Sequence, residues 1–221
     1  MVPQLQNQPR SRCGPLVFSI ASAQIGTVTN FATTIACGGD GQRLGGDKAG
    51  QALGGMTLIE RAVWLARDWG GPVALAVRND GAEPDTDLPV LVDPAPDLGP
   101  IGALASGFAF AKECDASHVL LIACDQPFLP ADLPARLAAA IGDAGVALPV
   151  SAGHDQNMAA LWRCDGPALT SYIDGGNRSL WGFAEVVGIT RVAWECEGAD
   201  PFADIDTQAD LSAAEARLKS S

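Results

Sequence analysis

The sequence predicts an α/β domain built on a largely parallel sheet with covering helices, and three observations carry that prediction. From Phe31 onward, β-like runs alternate with segments of helical periodicity, the sequence form of strand–helix–strand units. "HVLLIAC" (118–124) is an unbroken apolar run, as a central strand buried on both faces requires. The 221 residues, 48% of them hydrophobic and 18% charged, suit one sizeable domain.

Taken in order, "FATTIAC" (31–37) reads as the first strand and "ACGGDGQRLGGDK" (36–48) as a glycine-rich loop. Met56, Ile59, Val63 and Ala66 recur at three- and four-residue spacing, which predicts a helix over 56–69 closed by Gly70 and Gly71. "PVALAVR" (72–78) and "LPVLV" (88–92) read as strands. In "GPIGALASGFAFAKEC" (99–114), Ile101, Leu104, Phe108 and Ala111 share a helical face, with Gly102 and Ser106 allowing close approach to a sheet. Leu133, Leu137 and Ile141 mark a further helix stopped by Gly142. "GVALPV", "MAALWR" and "TRVAW" read as strands, and "PALTSYI" and "RSLWGFAEV" as short helices. Thr207 and Asp210 form a capping-box pattern ahead of Leu211, Ala214 and Leu218 in a last helix. Residues 1–30 read as a poorly ordered extension and 31–221 as the domain. Arg10, Arg12 and "LVFSIASAQ" loosely mimic an export signal, but that apolar core is short and broken by Ser19.

A formal net charge of -12 argues against nucleic-acid or membrane-surface binding, so an anionic ligand must be met by a local site. The six cysteines show neither CxxC nor Cys/His spacing, which predicts reduced thiols in a cytoplasmic protein rather than a zinc site or disulfide framework. No apolar run approaches the ~20 residues that span a bilayer.

The chemistry concentrates at predicted strand ends. Glycines let a loop bring its backbone N–H groups against a phosphate, and Arg43 and Lys48 supply two cations to the loop that holds Gly38, Gly39 and Gly41. It is not a Walker loop, since Ala49 follows Lys48 where Ser or Thr would meet the metal. Asp125 follows the buried strand directly, Asp93 follows "PVLV", and Asp206 ends the extended "FADID". Carboxyl ends of strands are where open α/β sheets bind ligands. One or two such carboxylates beside a phosphate loop suit Mg²⁺, which fills its octahedron with water and phosphate oxygens. Asp97 and Asp132 read instead as turn or cap residues, His118 and His154 as structural, and Trp162 and Trp181 as core or interface aromatics.

In this order and at these spacings, "ACGGDGQRLGGDK", "LGPIGALASG", "ACDQPFLP" and "FADIDTQADL" resemble the molybdenum cofactor guanylyltransferases over residues ~31–218. The resemblance implies a Rossmann-like three-layer sandwich of the glycosyltransferase-A-like nucleotidyltransferase kind. It also implies transfer of GMP from GTP to the phosphate of Mo-molybdopterin, with Mg²⁺. The implied partners are GTP, Mo-molybdopterin and a receiving molybdoenzyme or its chaperone. By the same resemblance the purine-binding loop falls on Ala36, Cys37, Gly38 and Gly39, and the phosphate-binding lysine on Lys48. The metal-binding aspartate falls on Asp125, and the nucleotide-contacting aspartate on Asp93. The asparagines near the pterin-bearing substrate are replaced here by Asp204 and Asp206, and Arg178 in "GGNRSLWGF" is a candidate for the acceptor's phosphate. Further departures are Cys37 for alanine, Ala76 where an asparagine is frequent, and Gln156–Asn157 for a His-Pro pair. The "GG…GGDK" and "CDQPF" forms side with guanine; a CTP-using cytidylyltransferase and a non-catalytic nucleotide- or pterin-binding module are the two other readings.

Overall fold

A computed structural model describes residues 30–37, 48–78, 86–95, 97–196 and 198–220. Segment 1–29 and the loop positions Gly38, Gly39, Gly41 and Arg43 lie outside these described residues. The strands are β1 (Phe31–Ala36), β2 (Ala52–Leu53), β3 (Met56–Thr57), β4 (Val73–Val77), β5 (Val90–Val92), β6 (His118–Ala123), β7 (Val146–Ser151), β8 (His154–Asp155), β9 (Ala159–Arg163) and β10 (Ile189–Trp194). The helices are α1 (Leu58–Trp69), α2 (Pro100–Glu113), α3 (Leu133–Ala140), α4 (Gly166–Asp174), α5 (Leu180–Val187) and α6 (Gln208–Ser220).

The main sheet runs in the order β10-β7-β9-β6-β1-β4-β5, with β8 paired to β7. The β1–β4, β1–β6, β4–β5 and β7–β10 pairings are parallel, whereas β9 runs antiparallel to β6 and β7. The fold is thus the predicted mostly parallel sheet, with β9 and the two-residue β8 reversed.

Side-chain alternation sorts the core into two layers. Val119 and Leu121 of β6, with Trp162 of β9, pack against α2, α4 and α5. Leu120 and Ile122, with Leu161, pack against α1 and α3 on the other face. Because both faces of β6 are covered, all six of its residues are buried, which explains its apolar run from Val119 to Ala123. A small third cluster joins Leu53 and Leu58 to Ile205, Leu211 and Ala214, seating α6 against the β2–β3 hairpin.

Local sequence sets the element ends. Helix α1 begins two residues later than its periodicity suggests, because Met56 and Thr57 pair with Ala52 and Leu53. Thr57 then caps the helix in a reciprocal box with Glu60, and Gly70, at φ 80°, closes it. The predicted Thr207–Asp210 box forms: the Asp210 carboxylate accepts from Thr207 N, and Asp210 N donates to Thr207 Oγ1. Asp97 occupies a turn at φ 61°, and Asp132 stands at the N-cap of α3 without a side-chain capping bond. His118 is buried against Ser117, and its pKa is lowered to about 4 by burial and by the Arg163 charge.

Phe183, 1% exposed, lies between the Trp162 and Tyr172 rings at centroid distances of 5.9 and 5.4 Å. Phe183→Ala opens a cavity beneath α5 and lowers unfolding free energy by about 3–5 kcal/mol in equilibrium denaturant titration; a loss under about 1 kcal/mol contradicts the packing described.

Candidate active site

At the carboxyl edge of the sheet, a cleft of about 400 Å³ opens over the ends of β1, β4 and β6. Its lining includes Ala36, Lys48, Ala76, Arg78, Asp93 and Asp125. Main-chain bonds hold β1 in register with β6 and β4 to the ends of these three strands: Cys124 N donates to the Ala36 carbonyl at 3.2 Å, and Cys37 N to that of Ala76 at 2.8 Å. Cys37 and Cys124 are therefore neighbours, and the hydrogen bond with the Cys37 side chain, then burial, raises the Cys124 pKa and keeps its thiol protonated. The thiols identified among the described residues are free.

Lys48 is the centre of the site. Its side chain is only 11% exposed, and its Nζ lies 2.5 Å from Asp125 Oδ2 and bonds Asp206 Oδ1 as well. Burial alone would lower the lysine pKa, but its hydrogen bonds to Asp125 and Asp206 and the charges of both outweigh it, so the pKa is raised. The cation is present throughout the physiological range. Asp206 is brought to it because Ile205 N donates to the Asp125 carbonyl at 3.0 Å, stitching the segment before α6 to the turn after β6.

Asp204 completes an acidic group around one lysine. Crowding by protein atoms, then the charges of Asp125 and Asp206, raise its pKa to about 6 against the relief offered by Lys48 and a Gln126 hydrogen bond. The Oδ1 atom of Asp125 is buried with no hydrogen-bond partner, an arrangement that suits a cation. Among the described residues no cage of three or more His, Cys, Asp or Glu side chains exists. A carboxylate with one unused oxygen at the lining of a cleft is nonetheless the donor set that a phosphate-bound divalent metal uses.

Asp93 lies at the other end of the cleft, 9% exposed, with its pKa raised by burial against the opposing charge of Arg78. Its carboxyl group packs on Gly102 in the first turn of α2 so closely that a Cβ there would lie 2.7 Å from it. The glycine read from sequence as a helix–sheet packing position is thus what admits the carboxylate.

Of the predicted site residues, Lys48, Asp93, Asp125, Asp204 and Ala36 line one cleft, while Cys37 adjoins it and Asp206 reaches it through Lys48. Gly38, Gly39 and Arg43 lie outside the described residues. Arg178 is not brought to this cleft: its Nη1 caps the Ile173 and Asn177 carbonyls after α4, at 2.9 and 2.8 Å. Gln126 and Asn157 line the cleft without having been singled out for a role. Both stood inside segments that the sequence had flagged, "CDQPF" and the Gln156–Asn157 pair.

The MobA-like NTP transferase domain family model matches residues 33–186. A molybdenum cofactor guanylyltransferase of Acidiphilium cryptum is 37% identical over 193 residues, spanning 85% of this chain and 95% of that protein. One of Rhodobacter capsulatus is 35% identical, spanning 86% and 97%. Among solved structures, molybdopterin-guanine dinucleotide biosynthesis protein A of Archaeoglobus fulgidus superposes with a TM-score of 0.71 at 18% identity, over 86% of this chain and all of that one. The 4-diphosphocytidyl-2C-methyl-D-erythritol synthase of Anaerococcus prevotii superposes with a TM-score of 0.65 at 13% identity, over 86% and 96%. These two structures support the fold alone.

Two outcomes test this geometry. Gly102→Ala displaces the Asp93 carboxylate and weakens nucleoside triphosphate binding by about tenfold or more in calorimetry, with an unchanged far-UV circular dichroism spectrum; unaltered affinity removes Asp93 from the site. The raised pKa of Asp204 means that the folded state binds more protons than the unfolded chain between about pH 4 and pH 6. Stability is therefore lost as pH rises through that window and stays lost above it. In metal-free buffer Asp204→Asn raises the denaturation midpoint at about pH 7.5, and the gain fades below about pH 4; an equal gain at both pH values assigns the effect to something other than charge.

Proposed function

The chain belongs to the MobA-like NTP transferase domain family, and we propose that it transfers GMP from GTP to the phosphate of Mo-molybdopterin, releasing pyrophosphate. The observation that carries this reading is the buried Lys48 ammonium beside the half-used carboxylate of Asp125, at the carboxyl end of the central strand. The assignment of residues 31–221 to this domain, and of the protein to the cytoplasm, follows the same reading.

The reaction joins an oxygen of the acceptor phosphate to the α-phosphorus of GTP and breaks the bond from that phosphorus to the bridging oxygen of the leaving pyrophosphate. The acceptor phosphate is already anionic, so no general base is needed, and catalysis rests on alignment and charge stabilisation. Lys48 supplies a permanent positive charge, joined by Arg43 from the glycine loop, to offset the charge that develops on pyrophosphate. Asp93 and the loop from Ala36 to Gly39 orient the guanosine. Asp125 Oδ1 would hold Mg²⁺, whose chemistry when bound is to neutralise phosphate oxygens and polarise the α-phosphate. Asp204 and Asp206 add negative charge beside Lys48 that a bound cation offsets.

Lys48→Met and Asp125→Asn each lower turnover by about 10²–10³-fold in a pyrophosphate-release assay with GTP and Mo-molybdopterin, with unchanged circular dichroism. In the same assay the unmodified protein uses GTP in preference to CTP. Preference for CTP replaces the base assignment, and no release with either nucleotide leaves a binding module as the reading.

A further inference from the structure

The cleft has a second end, formed by a different set of side chains. Because β9 is antiparallel to β6, its entering loop lies at the carboxyl edge of the sheet, and Met158 O accepts from Ala123 N at 3.0 Å. Gln156, Asn157 and Met158 thereby line the cleft across from Asp93 and α2, with Gln126 and Asp204 beside them.

Gln126 is 3% exposed, and its Nε2 donates to the Phe202 carbonyl at 3.0 Å and also bonds the Asp204 side chain. Those two acceptors fix the amide orientation, since a flip would set its oxygen against two other oxygens. Gln126 Oε1 is left buried with no donor, and so is Asn157 Oδ1. Buried carboxamide oxygens in this state call for N–H or O–H donors from a ligand.

Resting on the guanylyltransferase reading, we propose that Gln126 Oε1 and Asn157 Oδ1 form the acceptor subsite and accept hydrogen bonds from the N–H groups of the pterin's 2-amino-4-oxopyrimidine edge. Guanine carries the same donor edge, and two observations separate the ends. Asp93, with Gly102 and the start of α2, forms one wall on the β4–β5 side, and the two amides form the other, Gln126 from the turn after β6 and Asn157 from the loop before β9. Lys48 and Asp125 stand at the centre, where the two phosphates must meet. A product with one such heterocycle at each end of a pyrophosphate matches a cleft with donor-accepting groups at each end. Gln126 also ties the turn after β6 to the segment that carries Asp204, so it is a specificity-determining residue on the acceptor side rather than a participant in phosphoryl transfer.

The test compares Asn157→Leu and Asn157→Asp with the unmodified chain, and adds Gln126→Met. Fluorescence titration with 6-hydroxymethylpterin and the KM for Mo-molybdopterin read the acceptor end. The KM for GTP reads the nucleotide end, and Mn²⁺ binding followed by electron paramagnetic resonance reads the metal. Asn157→Leu and Gln126→Met raise the pterin dissociation constant and the acceptor KM by about tenfold, whereas Asn157→Asp, which keeps an acceptor oxygen, recovers most of the loss. A rise in the GTP KM instead assigns the amides to guanine, and weaker Mn²⁺ binding assigns them to the metal; either result overturns the inference, as does unchanged pterin affinity in both variants that lack the oxygen. Pterin binding that depends on Asn157, in an unmodified chain that releases no pyrophosphate, retains the subsite and removes the guanylyltransferase reading. Absence of pterin binding, with acceptor KM values that do not move, removes the subsite alone.

Discussion

The ammonium of Lys48 sits where three distant segments of chain meet. It follows the glycine loop, contacts Asp125 after β6, and contacts Asp206 ahead of α6. Neither carboxylate reaches it by chance. Asp125 is placed by the parallel register of β1 and β6, and Asp206 by the bond from Ile205 N to the Asp125 carbonyl. A buried cation held by two anions is costly to disrupt from either side, because removing one partner leaves the rest of the charge desolvated and uncompensated. The arrangement therefore fixes both the geometry of the cleft and the ionisation of its central residue. On the proposed function, an incoming phosphate would meet the ammonium that Asp206 shares, and a divalent cation would meet the Asp125 oxygen that Lys48 leaves unused.

The reversed strand gives the cleft its two ends. In an all-parallel sheet the edge above β6 would be flanked by the loops that follow its neighbours. Reversing β9 brings the loop that precedes a strand to that edge, so Gln156, Asn157 and Met158 face the wall built by Asp93 and α2. The lysine–carboxylate centre then lies between two recognition surfaces, one with Asp93 and Arg78 and the other with the Gln126 and Asn157 amides. That order suits a reaction joining two phosphate-bearing heterocycles, because the binding surfaces take up the two heads while the lysine and carboxylates meet the phosphates.

The layers and much of the site could be read from the sequence because each had a strong local cause. Burial on both faces makes β6 apolar from Val119 to Ala123, and its end marks Asp125; the Thr207–Asp210 box marks the start of α6. The two-residue strands β2, β3 and β8 are too short to show a period and exist through pairing alone. The role of Gly102 was hidden for a related reason: a small residue on a helix face signals close approach without naming the partner, here the Asp93 carboxylate rather than the sheet backbone. Arg178 shows the opposite failure. A cation in a motif-like segment reads as a ligand for phosphate, yet carbonyls left open at the end of α4 claim it first. Gln126 could not be singled out because its significance depends on Phe202 and Asp204, some 76 residues away in the chain in the case of Phe202.

The most direct measurement is a crystal structure of the unmodified protein with a non-hydrolysable GTP analogue and a divalent cation. The account predicts the Lys48 ammonium on the terminal phosphate oxygens, the metal on Asp125 Oδ1, and guanine toward Asp93 with the Gln126–Asn157 end still open. A nucleotide bound elsewhere, with Lys48 still held between Asp125 and Asp206, would contradict it.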